Sequence, residues 1–325
     1  MSAILSIFVF VNEENNIRKG IVFRHTGSHY LVKCEGHNNL IDCVVRGKLR
    51  LKASTTTNPI AVGDKVDIEL QSEKEGIITA IAPRKNYIIR KATNLSREAH
   101  VIAANVDCAY LITTIAYPVN SLEFIDRFLV TCVAYEVPAK LVVNKIDLYK
   151  KEEMEALQHF KRIYESAGYE IIETSVKTGF NINLLKADIA NKLCLFSGSS
   201  GVGKSSLINA LDSSLELRVG EISSYHLKGM HTTTFYEAFE LAGGGYVIDT
   251  PGIKGFGLVD VEKEEIYHFF PEIFKYANDC KFKPCTHTHE PQCAVLEAVE
   301  RGLISPERYE SYLKIFEEEE EKYRK

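Results

Sequence analysis

Short runs of alternating hydrophobic and polar residues dominate the chain between residues 18 and 91, and Gly, Asn, Asp and Pro separate them. Alternation of this kind is typical of β-strands with one buried face. Five short strands within one segment favour a small β-barrel of the OB type. The predicted strands are Gly20–Phe23, His29–Lys33, Leu40–Val45, Lys65–Leu70 and Gly76–Ile81.

Longer segments follow in which buried strands alternate with amphipathic helices. This order predicts an α/β domain with a mostly parallel sheet. We therefore expect a barrel over residues 1–91, with 1–17 poorly ordered, an α/β domain over 92–262 and a mostly helical domain over 263–325. The predicted strands are Val106–Thr114, Lys140–Val143, Glu170–Thr174, Leu193–Phe196 and Tyr246–Ile248, and the predicted helices are Leu122–Val137, Glu152–Ala167, Asn183–Lys192 and Ser206–Leu211.

Charge is unevenly distributed over these segments. The whole chain has a formal charge of −5, but residues 1–91 contain 14 Lys and Arg against 9 Asp and Glu. A basic barrel on an acidic body suggests a polyanionic partner for the barrel. We recognise neither a signal peptide nor a transmembrane segment, and the scattered cysteines indicate buried thiols in a reducing cytosol.

Four basic residues recur with a period of two directly after the third predicted strand. They are Arg46, Lys48, Arg50 and Lys52. If this segment is a strand, all four side chains lie on one face. Protection of a sheet edge by charge is the alternative, but it does not need four cations of one sign. We therefore interpret this face as one that contacts the phosphates of RNA.

A phosphate-binding loop of the type G-x-x-x-x-G-K-S follows the predicted strand that ends at residue 196. Inward-facing backbone amides in such a loop bind phosphate oxygens, its Lys reaches the β- and γ-phosphates, and its Ser ligates Mg²⁺. Further along, Asp249 ends a strand at a position where an aspartate in the outer shell of the magnesium ion is expected. The amide of Gly252 is a candidate for contact with the γ-phosphate. The loop residues are Gly198, Ser199, Ser200, Gly201, Val202, Gly203, Lys204 and Ser205, and Ser206 follows in the helix.

Residues that can recognise a guanine base precede this loop in the chain. Asn144, Lys145 and Asp147 belong to an N-K-I-D segment at the end of a predicted strand. The Asp147 carboxylate can accept from both N1–H and the exocyclic amine of guanine, whereas adenine has no donor at that ring nitrogen. Charge-assisted hydrogen bonds of about 1.5–3 kcal/mol each make this discrimination large. The segment after the next strand is expected to offer a backbone amide to the guanine oxygen; it consists of Ser175, Val176 and Lys177.

The order of these motifs is unusual. Most GTPase chains run from the phosphate loop through the magnesium aspartate to the base-reading motif. Here the base-reading motif comes first, then the phosphate loop, then Asp249. The chain therefore has the pattern of a circularly permuted GTPase.

Three cysteines and two histidines cluster near the C terminus. Cys280, Cys285 and Cys293 offer three thiolates, and His287 or His289 can add an imidazole. Zn²⁺ favours this set of ligands in closed tetrahedral sites. Four protein ligands leave no open coordination position, so we expect one structural zinc ion per chain. Free thiols on a helix are the alternative.

Together with the Thr-rich segment at 229–234, this order of motifs resembles the RsgA (YjeQ/YloQ) family of circularly permuted GTPases, from about residue 18 to the C terminus. The resemblance implies an OB domain, a permuted GTPase domain and a C-terminal zinc domain. It also implies action in late maturation of the small ribosomal subunit, which stimulates GTP hydrolysis. Between the two histidines, it selects His287 as the zinc ligand.

The resemblance also suggests residues for hydrolysis. Ile253 stands where many GTPases have a glutamine that orients water, and isoleucine cannot hydrogen-bond to water. By resemblance, His231 takes that role. Thr233 is expected to supply the hydroxyl that joins the magnesium shell, and Thr232 and Thr234 remain alternatives.

We therefore expect a monomeric cytoplasmic GTP hydrolase that uses Mg²⁺ with GTP and binds GDP, the small ribosomal subunit and its rRNA, but no membrane. Hydrolysis would serve as a release switch. One alternative is an RNA-binding assembly scaffold for which GTP is only a structural ligand. Another is an ATPase or kinase with the same phosphate loop, which Asp147 disfavours.

Overall fold

The computed structural model describes residues 17–47, 60–91, 99–217, 236–250 and 261–323. These residues form strands β1 Ile17–Thr26, β2 His29–Cys34, β3 Leu40–Val45, β4 Lys65–Leu70, β5 Glu75–Ile81, β6 Tyr87–Lys91, β7 Ala99–Ala104, β8 Cys108–Thr113, β9 Ala139–Val143, β10 Ile171–Glu173, β11 Leu193–Ser197, β12 Glu237–Glu240 and β13 Tyr246–Asp249. The α-helices are α1 Leu122–Ala134, α2 Lys151–Ser166, α3 Ile182–Ile189, α4 Lys204–Leu211, α5 Pro271–Ala277, α6 Ala294–Glu300 and α7 Pro306–Tyr323.

The first five strands close into a barrel. They are hydrogen-bonded in the order β1-β2-β3-β5-β4, and β4 pairs back with β1. The inward-facing positions of these strands form a separate hydrophobic core that includes Val22, Val32, Ile41, Ile68 and Ile78, each of them 0% exposed. The alternating pattern of the sequence therefore corresponds to a barrel with one buried face, and the prediction of an OB-type barrel is confirmed.

The predicted basic strand after β3 is not observed where it enters the described residues. β3 ends at Val45, and neither Arg46 nor Gly47 belongs to a strand. The Arg46 backbone N–H donates to the carbonyl of Ile78, at the end of the β3–β5 pairing, and its guanidinium lies 3.2 Å from the Glu69 carboxylate. The predicted basic strand is therefore absent at Arg46, its first basic residue, because the strand ladder ends at Val45. Lys48, Arg50 and Lys52 lie outside the described residues.

A six-stranded sheet forms the centre of the next domain. Its order is β10-β9-β8-β11-β13-β12, and only β12 runs antiparallel to its neighbour β13. Two hydrophobic clusters are built on this sheet, one with α1 and α2 and the other with α3 and α4. This confirms the predicted α/β domain. The antiparallel hairpin β6–β7 was not recognised as a hairpin from the sequence.

The barrel is joined to this sheet through direct contacts. β1 pairs with β12 at Arg24 and Glu237, so that the barrel and the six-stranded sheet share hydrogen bonds. Lys33 of β2 makes a second contact with β12, since its Nζ lies 2.8 Å from the Glu240 carboxylate. At Gly63, which has φ of +89°, an added Cβ would come within 2.1 Å of the Ala104 carbonyl oxygen, so only glycine permits this approach.

The C-terminal segment is helical and packs against α1. Its core includes Ile266, Phe270, Ile273 and Val295, and Val130 of α1 is part of the same cluster. The mainly helical C-terminal architecture is therefore confirmed. No helix within the described ranges combines the length and apolar composition needed to span a bilayer.

A buried ionic network connects this segment with α1 and α2. Arg308 of α7 is 0% exposed, donates to Glu272 of α5 at 2.6 and 3.2 Å, and donates to Asp126 of α1 at 2.7 Å. Tyr164 of α2 donates its hydroxyl to the same Asp126 oxygen at 2.8 Å. The Arg308 guanidinium also lies 4.7 Å from the centre of the Phe270 ring. The buried cation of α7 thus joins α5 and α1, and Tyr164 adds α2 to the same network.

Candidate nucleotide site and metal centre

The candidate nucleotide residues lie at one edge of the six-stranded sheet. β9 leads into Asn144, β10 into Thr174 and Ser175, β11 into the phosphate loop, and β13 ends at Asp249. Because these four strands are parallel, their carboxyl ends meet at the same edge. Ligands of open α/β sheets bind in that position. The chain order of the motifs is permuted, but the sheet places them side by side.

The phosphate loop turns sharply between β11 and α4. Gly203 has φ of +94°, and a Cβ added there would lie 2.6 Å from Asn144 Nδ2, so this position needs glycine for both conformation and space. The helix starts at Lys204 with Gly203 as its N-terminal capping residue. The N-terminal amides and dipole of α4 consequently face the loop, which is an arrangement suited to phosphate.

The half-buried Lys204 and the buried Asp249 are charged groups of opposite sign near each other at this loop. Lys204 Nζ donates to the carbonyls of Gly198 and Ser199 at 2.6 and 3.1 Å, which holds the ammonium group within the loop. Burial lowers the pKa of Lys204, and the nearby Asp249 raises it. Burial likewise raises the pKa of Asp249, and Lys204 opposes this.

Asp249 has the environment expected for a carboxylate beside a cation. It is 8% exposed, and its Oδ1 has no hydrogen-bond partner among the described residues. A buried carboxylate oxygen without a partner destabilises the fold unless a cation or a water molecule binds to it. The neighbouring Thr250 is held by its hydroxyl and its N–H, which both donate to the Phe196 carbonyl of β11, at 3.0 and 3.2 Å. The end of β13 is therefore fixed next to the phosphate loop. This environment fits Mg²⁺.

Asn144 connects three of the loops. Its Nδ2 donates to the Val202 carbonyl of the phosphate loop at 3.0 Å, and its Oδ1 accepts from the Thr174 hydroxyl at 3.1 Å. Its carbonyl accepts from the Tyr149 hydroxyl at 3.0 Å. Asn144 is 1% exposed. The side chain thus sets the spacing between the base-reading segment, the segment after β10 and the phosphate loop.

The other base-reading residues are more exposed. Lys145 Nζ donates to the carbonyls of Gly201 and Tyr117, at 2.6 and 3.0 Å, so its stem crosses the space between these loops. The Asp147 carboxylate accepts from the Ser175 hydroxyl at 2.6 Å, which orients it. The hydroxyl of Ser175 also accepts from the Thr178 backbone N–H at 3.2 Å. In the same segment, Val176 is half-buried and Lys177 is exposed. Asp147 and the 175–177 segment are therefore adjacent, as a shared base pocket requires.

Several contacts at this edge have no local signal in the sequence. Tyr149 accepts from the Ile115 N–H at 2.8 Å while it donates to Asn144, so it braces the base-reading segment against the loop after β8. Tyr117 supplies a carbonyl to Lys145. Neither tyrosine belongs to one of the sequence motifs described above. Only the three-dimensional arrangement shows which groups they contact.

The C-terminal Cys/His cluster has the dimensions of a tetrahedral metal site. Cys280 Sγ and Cys293 Sγ each lie 3.5 Å from His287 Nδ1, and the sulfur–sulfur distances from Cys293 to Cys280 and Cys285 are 3.7 and 3.8 Å. All four ligand atoms lie within 4.8 Å of one another. Ligands on one tetrahedral Zn²⁺ would be about 3.8 Å apart for two sulfurs and about 3.5 Å for sulfur and nitrogen. These four residues can therefore hold a metal ion, and His289 is not part of the group.

The loop that presents these ligands is held by its own hydrogen bonds. Glu290 accepts from the Thr286 hydroxyl at 2.6 Å and from the Thr288 and His289 backbone N–H groups at 3.1 and 3.2 Å. Tyr309 of α7 donates its hydroxyl to the His287 carbonyl at 2.8 Å. The ligand positions are thus fixed by contacts beyond the ligands themselves, which is usual for metal sites.

The remaining candidate residues lie outside the described part of the chain. These are His231, Thr232, Thr233 and Thr234 of the Thr-rich segment, together with Gly252 and Ile253.

The chain matches two family models. The model of the RsgA GTPase covers residues 81–259, and the model of the RsgA N-terminal domain covers residues 19–78.

Similar proteins extend the likeness over nearly the whole chain. A relative from Bacteroides thetaiotaomicron, named small ribosomal subunit biogenesis GTPase RsgA 2, is 52% identical over 94% of this chain and 99% of its own length. A relative from Christiangramia forsetii, named small ribosomal subunit biogenesis GTPase RsgA, is 47% identical over 94% of this chain and 98% of its own length.

Solved structures agree with this. YjeQ from Thermotoga maritima superimposes with a TM-score of 0.77 at 36% identity, over 93% of this chain and 98% of that one. YloQ, described as a circularly permuted GTPase, superimposes with a TM-score of 0.73 at 28% identity, over 96% of this chain and 98% of that one. With the permuted motifs placed at one edge of the sheet and both family models matched, this chain belongs to the RsgA family of GTPases.

Proposed function

We propose that this protein is a GTP hydrolase that binds the small ribosomal subunit during its late maturation and leaves it after hydrolysis. The observation that supports the catalytic part most strongly is the meeting of the N-K-I-D segment, the phosphate loop and Asp249 at the ends of neighbouring parallel strands. The ribosomal part rests on the relatives of about half identity, whose names describe them as biogenesis GTPases of that subunit.

In this proposal, the amides of residues 198–206 and the Lys204 ammonium bind the phosphates, and Gly252 adds an amide at the γ-phosphate. Mg²⁺ would neutralise charge between the β- and γ-phosphates. Ser205, Asp249 and Thr233 are the residues proposed to hold it. The unpartnered, buried Asp249 Oδ1 beside Lys204 supports the choice of Asp249.

Asp147 would accept from the guanine N1–H and amine, and the segment Ser175–Lys177 would donate to the guanine oxygen. Asn144 and the Lys145 stem would support the base. The contact between Asp147 and Ser175 at 2.6 Å supports a shared pocket for these groups. Because an adenine ring lacks the N1 donor, the same pocket favours GTP over ATP.

His231 is proposed to orient the attacking water, since the residue after Gly252 is the apolar Ile253. A positioned group of this kind contributes roughly 10²–10⁴-fold to the rate. At the C terminus, Cys280, Cys285, His287 and Cys293 are proposed to bind one structural Zn²⁺. Thiolate-rich sets with a single imidazole favour zinc over Mg²⁺ or Ca²⁺.

The barrel is proposed to contact rRNA through the basic segment that includes Lys48, Arg50 and Lys52. Arg46 contributes less in this view because Glu69 already neutralises it. The protein is further proposed to act as a monomer in the cytoplasm, where the ribosomal subunits are assembled.

The deciding experiment is GTP turnover by the full chain, measured with and without purified small ribosomal subunits. Faster turnover in the presence of the subunit supports the proposal. A single-turnover rate that does not change when the subunit is added indicates a scaffold that uses GTP as a structural ligand. The substitution Asp147→Asn tests base recognition. It should weaken the binding of GTP and favour the binding of xanthosine triphosphate. Unchanged GTP affinity in this variant, or effective competition by ATP in the wild type, would refute the base assignment.

A further inference from the structure

One row of residues connects the barrel with the end of β13. Arg24 of β1 is the register partner of Glu237 of β12, and Glu237 is the register partner of Asp249. Residues directly opposite each other in antiparallel strands project to the same face, with Cβ atoms about 4.5–5.5 Å apart. The row therefore places a barrel side chain two strands away from the carboxylate proposed for magnesium.

The contact between Arg24 and Glu237 involves the side chains as well as the register. Arg24 Nη1 donates to Glu237 Oε1 at 3.3 Å, and the two side chains are 39% and 36% exposed. The pair lies at the first residue of β12, a strand of only four residues, on the side that pairs with β1. A strand this short depends on its neighbours for its position, and Arg24 holds its first residue.

Glu237 also matters for charge. Its carboxylate belongs to the residue opposite Asp249, which is 8% exposed and has Lys204 as a nearby cation. Without Arg24, the Glu237 carboxylate would lose its cation at a position directly opposite Asp249. Like charges on directly opposite residues destabilise a strand pair.

We propose that Arg24 is a positioning residue of the GTPase: through Glu237 it holds β12 in register beside Asp249, so that the barrel supports the magnesium-binding end of β13. This rests on the proposed function, because it assigns Mg²⁺ to Asp249. The consequence is that an RNA partner that displaces or tightens the barrel acts on the magnesium-binding residue through a direct ladder of three strands.

The same two elements offer a matched control. Lys33 of the barrel pairs with Glu240 at 2.8 Å, on the same strand β12 but at its far end, opposite Tyr246. Loss of that ion pair removes a barrel contact of the same kind without touching the row that contains Asp249. A general loosening of the barrel should therefore appear in both variants, and a positioning effect only in one.

The experiment measures GTP hydrolysis by the full chain as a function of Mg²⁺ concentration for wild type, Arg24→Ala, Lys33→Ala and the charge swap Arg24→Glu with Glu237→Arg. A half-exposed ion pair predicts a rise of roughly two- to fivefold in the Mg²⁺ concentration for half-maximal turnover in Arg24→Ala. Lys33→Ala should match wild type, and the swap should restore most of the wild-type value. Thermal melts should confirm that all variants are folded.

An unchanged Mg²⁺ dependence in Arg24→Ala would overturn the inference, and so would equal shifts in Arg24→Ala and Lys33→Ala. If the wild type does not hydrolyse GTP at all, the proposed function fails instead. The Mg²⁺ dependence of binding of a fluorescent GTP analogue by the same proteins then still decides the role of Arg24.

Discussion

Arg308 offers the sharpest test of how the C-terminal segment is attached. We consider Arg308→Leu, which keeps the apolar volume of the side chain but removes its charge. Arg308 makes three hydrogen bonds to the carboxylates of Asp126 and Glu272, at 2.6 to 3.2 Å, and all three residues are buried. The substitution therefore leaves two carboxylates in the interior without their cation.

Removal of one partner from a buried ion pair typically costs about 3–5 kcal/mol, because the uncompensated charge is the main penalty. At about 2–4 °C per kcal/mol for a folding unit of a few hundred residues, the melting temperature should fall by roughly 6–20 °C. The assay is a thermal melt followed by circular dichroism. Arg301→Leu is the control, because the Arg301–Glu297 pair is exposed at both ends, and it should leave the melting temperature unchanged.

The pH dependence gives a second, independent readout. Burial raises the pKa of Asp126, and Arg308 opposes this, so its removal should raise that pKa further. A carboxyl whose folded-state pKa lies above its unfolded value stabilises the fold at low pH, and this stabilisation is lost as the pH rises through the folded-state pKa. The deficit of Arg308→Leu should therefore shrink as the pH falls from about 8 to about 5.

Adding Asp126→Asn and Glu272→Gln to Arg308→Leu should recover part of the loss, since neutral amides are cheaper to bury than charges. The prediction is refuted if Arg308→Leu has the melting temperature of the wild type. It is also refuted if its deficit grows at low pH, because then the two carboxylates are not the source of the penalty.

Two further predictions concern the nucleotide loop and the metal site. Gly203→Ala should weaken GTP binding roughly five- to thirtyfold, since a left-handed conformation costs a Cβ-bearing residue about 1–2 kcal/mol and Asn144 leaves no room; Gly168→Ala, with φ of +91° and no neighbour within 4 Å, is the control that should keep wild-type affinity. Cys280→Ser should lower the bound zinc, measured by elemental analysis, well below one ion per chain, whereas Cys34→Ser, in the barrel core, should leave it at one; equal zinc contents would contradict the ligand assignment.

Much of the barrel could be predicted because its strands each have one buried and one exposed face. The predicted Leu40–Val45 and Lys65–Leu70 agree with the observed strands residue for residue. The hairpin strand Ala99–Ala104 was missed because its sequence AHVIAA does not alternate. The supposed basic strand failed at Arg46, since a spacing of charges says nothing about where a ladder of hydrogen bonds ends.

The nucleotide and metal residues were recognisable because their chemistry is local in sequence. Each motif can be recognised from a short stretch of sequence without long-range information: the phosphate loop, the N-K-I-D segment and the four metal ligands. The residues that hold these motifs in place cannot be recognised in this way. Asp126 and Arg308 are 182 positions apart, and no local pattern marks either as the partner of the other. The division at residues 91 and 262 stays a prediction for the same reason.

The packing of α1 has a consequence for how this chain can be divided. Val130 contributes to the core of the C-terminal segment, and Asp126, on the same helix, compensates its buried arginine. A chain that ended near residue 262 would expose an apolar stripe and leave Asp126 without a counter-ion. We therefore expect the α/β domain and the C-terminal segment to unfold together. For the same reason, an exchange of C-terminal segments between relatives should preserve this core only if helix α1 is exchanged with the C terminus.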